Sequence, residues 1–432
     1  MKRNLVKLGL LLALALLLAC CTPPGPVAEA PAPAPTEPEP EPVTITFWYA
    51  LGGTSGSAFE AMLAEFNETN PDGITVEGTY SGGYGETAQK VIAAIASDTL
   101  PNGGVIPAAP LWTGREGNYK ILEYIDGPDG LDKEDFWPVL WTYNEYDGKI
   151  ASLPFNNSTP VLYYNKDLMA EAGLDPEDPP ETWDELKAMA KQIVESIDRD
   201  PKVWGADTNS PDWILKALIL QNGGRIMDDL STEPAFASEA GYQALSWWKS
   251  LVDEGIMPAA QHGEARDLFI AGHMGFLYSS TGSVSRVLGG AQFDWETTFL
   301  PKKEKYGATV GGAALALFPS TKEKEDATWK FLKWLVSPEN TASWTVETGY
   351  VPIRKSNLQS PIIQQLFEET PQYRAGFEQL EVAETYPHFW EMGSLDVFFA
   401  QAMEKVELGA MEPQAALDEA DELLREEMAK SE

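Results

Sequence analysis

The groups in this 432-residue chain that could do chemistry begin with three histidines and two cysteines. His262, His273 and His388 fall at spacings that match no metal or metalloprotease pattern, so each reads as a structural or surface residue. No G-x-S-x-G turn presents a serine nucleophile, and no glycine-rich loop with its lysine stands ready for a nucleotide phosphate. Cys20 and Cys21 adjoin near the N-terminus, which leaves the folded body without disulfides or cysteine-ligated zinc. With 66 Asp and Glu, apparent carboxylate pairs arise by chance, so counting gives glycosidase chemistry no support. The expectation is a non-enzyme with no metal and no cofactor; a secreted glycoside hydrolase and an adhesive lipoprotein are the alternatives.

Aromatic residues carry more information. The chain has 14 Trp and 15 Tyr. Trp247, Trp329 and Trp334 sit in helical patterns and read as core. Trp48, Tyr49, Tyr84, Trp112, Trp213, Tyr350 and Trp390 instead adjoin loops rich in Gly, Ser or Pro. Aromatic faces in polar loops suit the C–H faces of sugars and polyols, with hydroxyls bonding the rims.

The elements that must position these groups follow from punctuation and period. Lys2, Arg3 and Lys7 precede an apolar run from Leu8 to Ala19, broken only by Gly9. The run falls short of the roughly 20 residues of a spanning helix and suits an export signal. It ends Leu17-Leu18-Ala19-Cys20, which resembles a lipobox, and that resemblance implies cleavage before Cys20 and a lipid on its sulfur. Residues 1–19 are then a lipoprotein signal peptide. Residues 20–42 are a lipidated cysteine and a Pro/Glu-rich tether, ending Glu37-Pro38-Glu39-Pro40-Glu41-Pro42, which cannot bury a core. The net charge is −35, and losing the three cations of 1–19 leaves −38, a field that repels nucleic acid and anionic lipid.

Val43 to Tyr49 alternates as a strand. Phe59, Met62, Leu63 and Phe66 then mark one helical face, Asn70-Pro71-Asp72-Gly73 a turn, and Ile74-Thr75-Val76 a second strand. Ala88, Val91, Ile92 and Ile95 predict a second helix. This strand–helix–strand–helix order is that of an α/β lobe. Thr182 and Glu185 form a capping box ahead of Leu186, Met189, Ile193 and Val194. Ser337-Pro338-Glu339 opens another helix that Gly349 stops, and an acidic amphipathic helix follows Pro413.

From about Ile45 to Leu424 the segments resemble extracellular solute-binding protein family 1, and within it the glycerol-3-phosphate-binding branch of Ugp-type importers. The resemblance rests on Pro154-Phe155-Asn156-Asn157-Ser158-Thr159-Pro160 through Asp167, on Ala172-Gly173-Leu174-Asp175-Pro176, and on Thr182-Trp183. Val310-Gly311-Gly312-Ala313, Thr348-Gly349-Tyr350-Val351-Pro352-Ile353 and Pro413 to Asp418 extend it. It implies a two-lobe α/β fold of the type II periplasmic-binding-protein kind, with a hinge and an interlobe ligand cleft. Lobe 1 would comprise 43–155 and about 310–350, lobe 2 about 156–309 and about 351–432. It further implies a monomer that captures a small solute and hands it to ABC permease subunits with a cytoplasmic ATPase. Such a chain would be lipid-anchored on the outer face of the cytoplasmic membrane or in the periplasm.

Residue by residue, the resemblance assigns ligand contacts to Tyr84, Ser158, Trp213, Ser280, Gly312 and Tyr350. Trp112, Trp390 and Glu391 complete the candidate set. The family's companion tryptophan falls near Ser210 and is missing. Its glutamate falls near Ala108, and its phosphate-gripping arginine falls at Glu391, or at Trp390 if the register slips by one. Hydrogen bonds to charged groups contribute roughly 1.5–3 kcal/mol each, out of about 8 kcal/mol for a micromolar complex. Losing the arginine therefore predicts poor binding of free glycerol-3-phosphate unless another cation, Arg374 or Arg286, moves in. A neutral sugar, or a phosphodiester with a cationic head, is the expected guest.

Overall fold

The computed structural model describes residues 42–115, 117–229 and 231–431. The signal peptide, Cys20 and all but the last residue of the tether lie outside the described residues. Among the described residues, no helix is long and apolar enough to cross a membrane.

The first sheet takes strands β1 (Val43–Tyr49), β2 (Ile74–Tyr80), β3 (Gly103–Pro107) and β4 (Leu153–Ser158). The second takes β5 (Pro160–Asn165), β6 (Trp204–Thr208), β7 (Met274–Ser280) and β8 (Trp295–Thr298). The short β9 (Ala308–Thr309) leads into β10 (Gly311–Leu317), and β11 (Ala383–Glu384) pairs with β9. The first sheet runs β2-β1-β3-β10-β4, with β10 antiparallel to both of its neighbours. The second runs β8-β5-β7-β6. Thus β10 belongs to the first sheet although the whole second sheet precedes it in the chain. Together with the single residue Thr159 between β4 and β5, it stitches the lobes.

The helices cover these sheets. The longest are α1 (Gly53–Thr69), α2 (Tyr84–Ser97), α3 (Trp183–Ser196), α4 (Pro211–Gln221), α5 (Glu239–Asp253), α6 (Lys322–Leu335), α7 (Pro338–Thr348), α8 (Met392–Glu407) and α9 (Pro413–Ser431). α1 buries Phe59, Met62, Leu63 and Phe66, and Phe59 lies 5.9 Å from Phe47 of β1. Each such side chain contributes about 1.5–3 kcal/mol. Thr182 caps α3, accepting from the Glu185 amide at 3.2 Å while Glu185 accepts from the Thr182 amide at 2.9 Å. Gly349 ends α7 at φ +82°, a conformation glycine adopts at no steric cost. α2 forms where the sequence predicts the second helix. It buries Thr87, Val91 and Ala94 and leaves Ile92 half exposed, because Ile92 lies a further 100° round the helix from Val91.

Each lobe has one large apolar core, with two smaller clusters beside them. The segment from Val351 to Phe367 joins the first core through Val351, Ile353, Ile363 and Phe367, whereas α8 and α9 join the second. The last crossing thus comes well after residue 350, where the sequence reading put it. Arg354 fixes this segment. Its buried guanidinium lies 3.0 Å from Asp135, donates to the Val336 carbonyl and stacks 4.4 Å from the Phe136 ring. The first crossing falls at Thr159 rather than after 155, since β4 continues to Ser158.

Candidate functional site

A cavity of about 420 Å³ opens where the two sheets meet, lined from both lobes. From the first lobe come Tyr84, at the first position of α2, and Tyr143. Ser158 ends β4, Gly311 and Gly312 open β10, and Tyr350 follows α7. From the second come Trp213 and Lys216 of α4, Ser280 at the end of β7, and Asp396 of α8. Six of the nine residues singled out from the sequence, Tyr84, Ser158, Trp213, Ser280, Gly312 and Tyr350, therefore line one cavity from both lobes.

Backbone geometry explains the glycines. Gly312 has φ +111°, and a Cβ there would stand 1.9 Å from the Asn156 carbonyl oxygen, so only glycine fits. At Gly311 a Cβ would meet Trp213 Cζ2 at 2.9 Å; the missing side chain lets the indole lie against β10. Asn156 Nδ2 donates to the Tyr84 hydroxyl at 3.2 Å, and Tyr143 donates to the Gly312 carbonyl at 3.1 Å. Ser280 Oγ accepts from the Gly282 amide at 3.1 Å, which orients the loop carrying it.

Desolvation dominates the electrostatics. Tyr84 as a whole residue is 39% exposed, yet burial of its hydroxyl, with Tyr350 and Tyr143 beside it, pushes its pKa well above the usual phenol value. Burial raises Tyr143 as well. His388 falls to about 4 through burial, and the nearby Lys216 charge lowers it further, so the ring is neutral at pH 7. Burial by itself would depress Lys216; Asp396, Tyr386 and Asp212 override it and hold the ammonium above its ordinary value. Burial raises Asp212, and Lys216 opposes that rise.

The remaining three candidates lie elsewhere. Trp112 and Trp390 meet edge to face at 5.7 Å, and the Trp112 indole donates to the Pro107 carbonyl at 3.0 Å. Both belong to a small apolar cluster with Val91, Ile106 and Phe318 and do not line the cavity. Glu391 is buried at the start of α8, also outside the lining, and its Oε1 finds no hydrogen-bond partner among the described residues. Arg286 pairs with Asp267 and Arg374 with Glu378, both well exposed and away from the cavity. The cation at the cavity is Lys216, which the sequence reading missed. Its one signal is a lone charge within Ile214-Leu215-Lys216-Ala217-Leu218.

A sequence profile for the bacterial extracellular solute-binding proteins matches residues 61–372. The chain belongs to this family. It is 28% identical over 399 residues to the sn-glycerol-3-phosphate-binding periplasmic protein UgpB of Escherichia coli K12, covering 87% of this chain and 90% of that one. By structure it is similar to the cyclic α-maltosyl-1,6-maltose binding protein of Arthrobacter globiformis, at 27% identity and a TM-score of 0.79, covering 90% and 99% of the two chains. UgpB of Mycobacterium tuberculosis, solved with glycerophosphocholine, superposes at a TM-score of 0.78 with 23% identity, covering 90% and 99%, and speaks to the fold alone. As a member of a solute-binding family, the chain has the two-lobe α/β fold expected of it, with the lined cavity at the junction of the lobes.

Proposed function

We propose that this chain is the capture component of an ABC importer, taking a sugar, polyol or glycerophosphodiester-type solute between its lobes and presenting it to the permease. The observation that carries the reading is the convergence of Tyr84, Ser158, Gly312 and Tyr350 with Trp213 and Ser280 on one cavity, from separate lobes. Aromatic faces and hydroxyls in a partly enclosed site bind a polar guest by stacking and rim hydrogen bonds. Thr159 and the β9–β11 pair are the links about which the lobes close. A solute drives closure only by binding the closed form better. The protein acts without catalysis, as a monomer held at the membrane through the lipid on Cys20.

The test is a thermal-shift screen of the mature chain against sugars, polyols, glycerophosphodiesters and glycerol-3-phosphate, followed by small-angle scattering with each hit. A hit that raises the melting temperature and compacts the chain is expected. A confirmed ligand that leaves the scattering unchanged contradicts hinge closure, and a screen without hits contradicts solute capture.

A further inference from the structure

One wall of the cavity is made of residues to which the family resemblance assigns nothing. Lys216 occupies the middle of α4, where residues 214–221 are all buried, and its side chain is 8% exposed. It forms an ion pair with Asp396 of α8. Asp212, one turn earlier on α4, lines the same wall. Burying the Lys216 ammonium costs several kcal/mol; its partner Asp396 keeps a side chain 42% exposed, so the pair is open to the cavity on the carboxylate side. Beside it stands His388, 2% exposed, whose Nδ1 has no hydrogen-bond partner among the described residues, and the Trp213 Nε1 has none either.

We infer that Asp212, Lys216 and Asp396 form a preformed subsite that reads hydroxyl groups, and that the solute is an uncharged, polyhydroxylated carbohydrate rather than a phosphate ester. This rests on the solute-capture reading above. A carboxylate only accepts hydrogen bonds and an ammonium only donates them. Neighbouring hydroxyls on a sugar ring do both, so one sugar edge satisfies the pair without adding charge. Such charge-assisted bonds are roughly twice as strong as neutral ones. A phosphate ester meets the opposite situation. The Lys216 charge is already matched by Asp396, Asp212 adds a further carboxylate, and no arginine lines the cavity among the described residues. An added anion is repelled by these two carboxylates, where partial burial weakens screening by water. The indole of Trp213, set against Gly311, supplies the flat face that a sugar ring stacks on.

The test is calorimetric titration of the mature chain with maltose, trehalose, raffinose, glycerol-3-phosphate and glycerophosphocholine. At least one neutral sugar is expected to bind, and Lys216→Met to weaken it about 10- to 100-fold. Asp396→Asn removes the carboxylate paired with the ammonium and leaves Asp212 as its one neighbouring carboxylate in this subsite, which takes the subsite from a net negative charge to neutrality. It is expected to weaken the sugar about tenfold and to strengthen glycerol-3-phosphate by a similar factor, an exchange of preference that a merely structural ion pair would not produce. If Lys216→Met does not fold, Asp212→Asn carries the test, with weaker sugar binding at an unchanged melting temperature. Tighter binding of glycerol-3-phosphate or glycerophosphocholine than of every neutral sugar by the wild-type chain overturns this inference and leaves solute capture standing. No binding by any of the five overturns both.

Discussion

His262 offers a sharp test of how the second lobe is held together. Its Nδ1 lies 2.6 Å from Asp207 of β6, and its Nε2 lies 3.0 Å from both oxygens of Glu407 on α8. Glu407 also accepts from the Trp248 indole at 2.6 Å and from the Ala260 amide at 2.7 Å, tying α5 into the same network. Both carboxylates are fully buried and the imidazole is 12% exposed. Burial alone would lower the imidazole pKa; the hydrogen bonds to Asp207 and Glu407 raise it from 6.5 to about 10. A folded-state value above the unfolded one gives stability that is fully present below about pH 6.5 and lost as the pH rises toward 10. The full shift corresponds to on the order of 5 kcal/mol, a ceiling for a coupled buried network. The perturbation is His262→Gln, which leaves two buried carboxylates facing a neutral amide and costs about 3–5 kcal/mol at neutral pH. Urea unfolding of both proteins near pH 6, 8 and 10 measures the effect. The wild type should lose stability steadily across this range, and the gap to His262→Gln should narrow. A wild type whose loss merely parallels that of the variant refutes the assignment, because general acidic repulsion would then account for the whole slope.

Three further outcomes follow from the geometry. Gly312→Ala should abolish solute binding and destabilise the fold by 2 kcal/mol or more, on the order expected for a strained backbone and a steric clash, read by calorimetry and urea unfolding. Gly311→Val should push the Trp213 indole from its seat, weakening binding about tenfold and shifting tryptophan fluorescence while the melting temperature holds. Arg354→Met removes one partner of a buried pair and should cost about 3 kcal/mol of stability, with solute affinity unchanged at temperatures where the protein remains folded.

What the sequence made legible was local. The Thr182–Glu185 box, the Ser337 cap and the Phe59 to Phe66 face are each written within a few residues and reappear as expected. Resemblance to a family supplied the six lining residues, which lie between positions 84 and 350 and have no common spacing. Asp212, Lys216 and Asp396 escaped because their meaning depends on α4 and α8 packing side by side, a contact between segments separated by 180 residues. Trp112, inside the helix Ala109–Arg115, and Trp390 pack on one another across the chain, a contact that neighbouring residues do not reveal. The late return to the second lobe was equally hidden, since Arg354 finds Asp135 across 219 residues.

The most direct test of solute capture is a crystal structure of the mature chain with a hit from the screen. The account predicts one bound molecule in the cavity, its ring against Trp213 and its hydroxyls shared between Tyr84 and Tyr350 on one side and Ser280 and Lys216 on the other. Density for the solute on an outer surface, with that cavity filled by water alone, contradicts it.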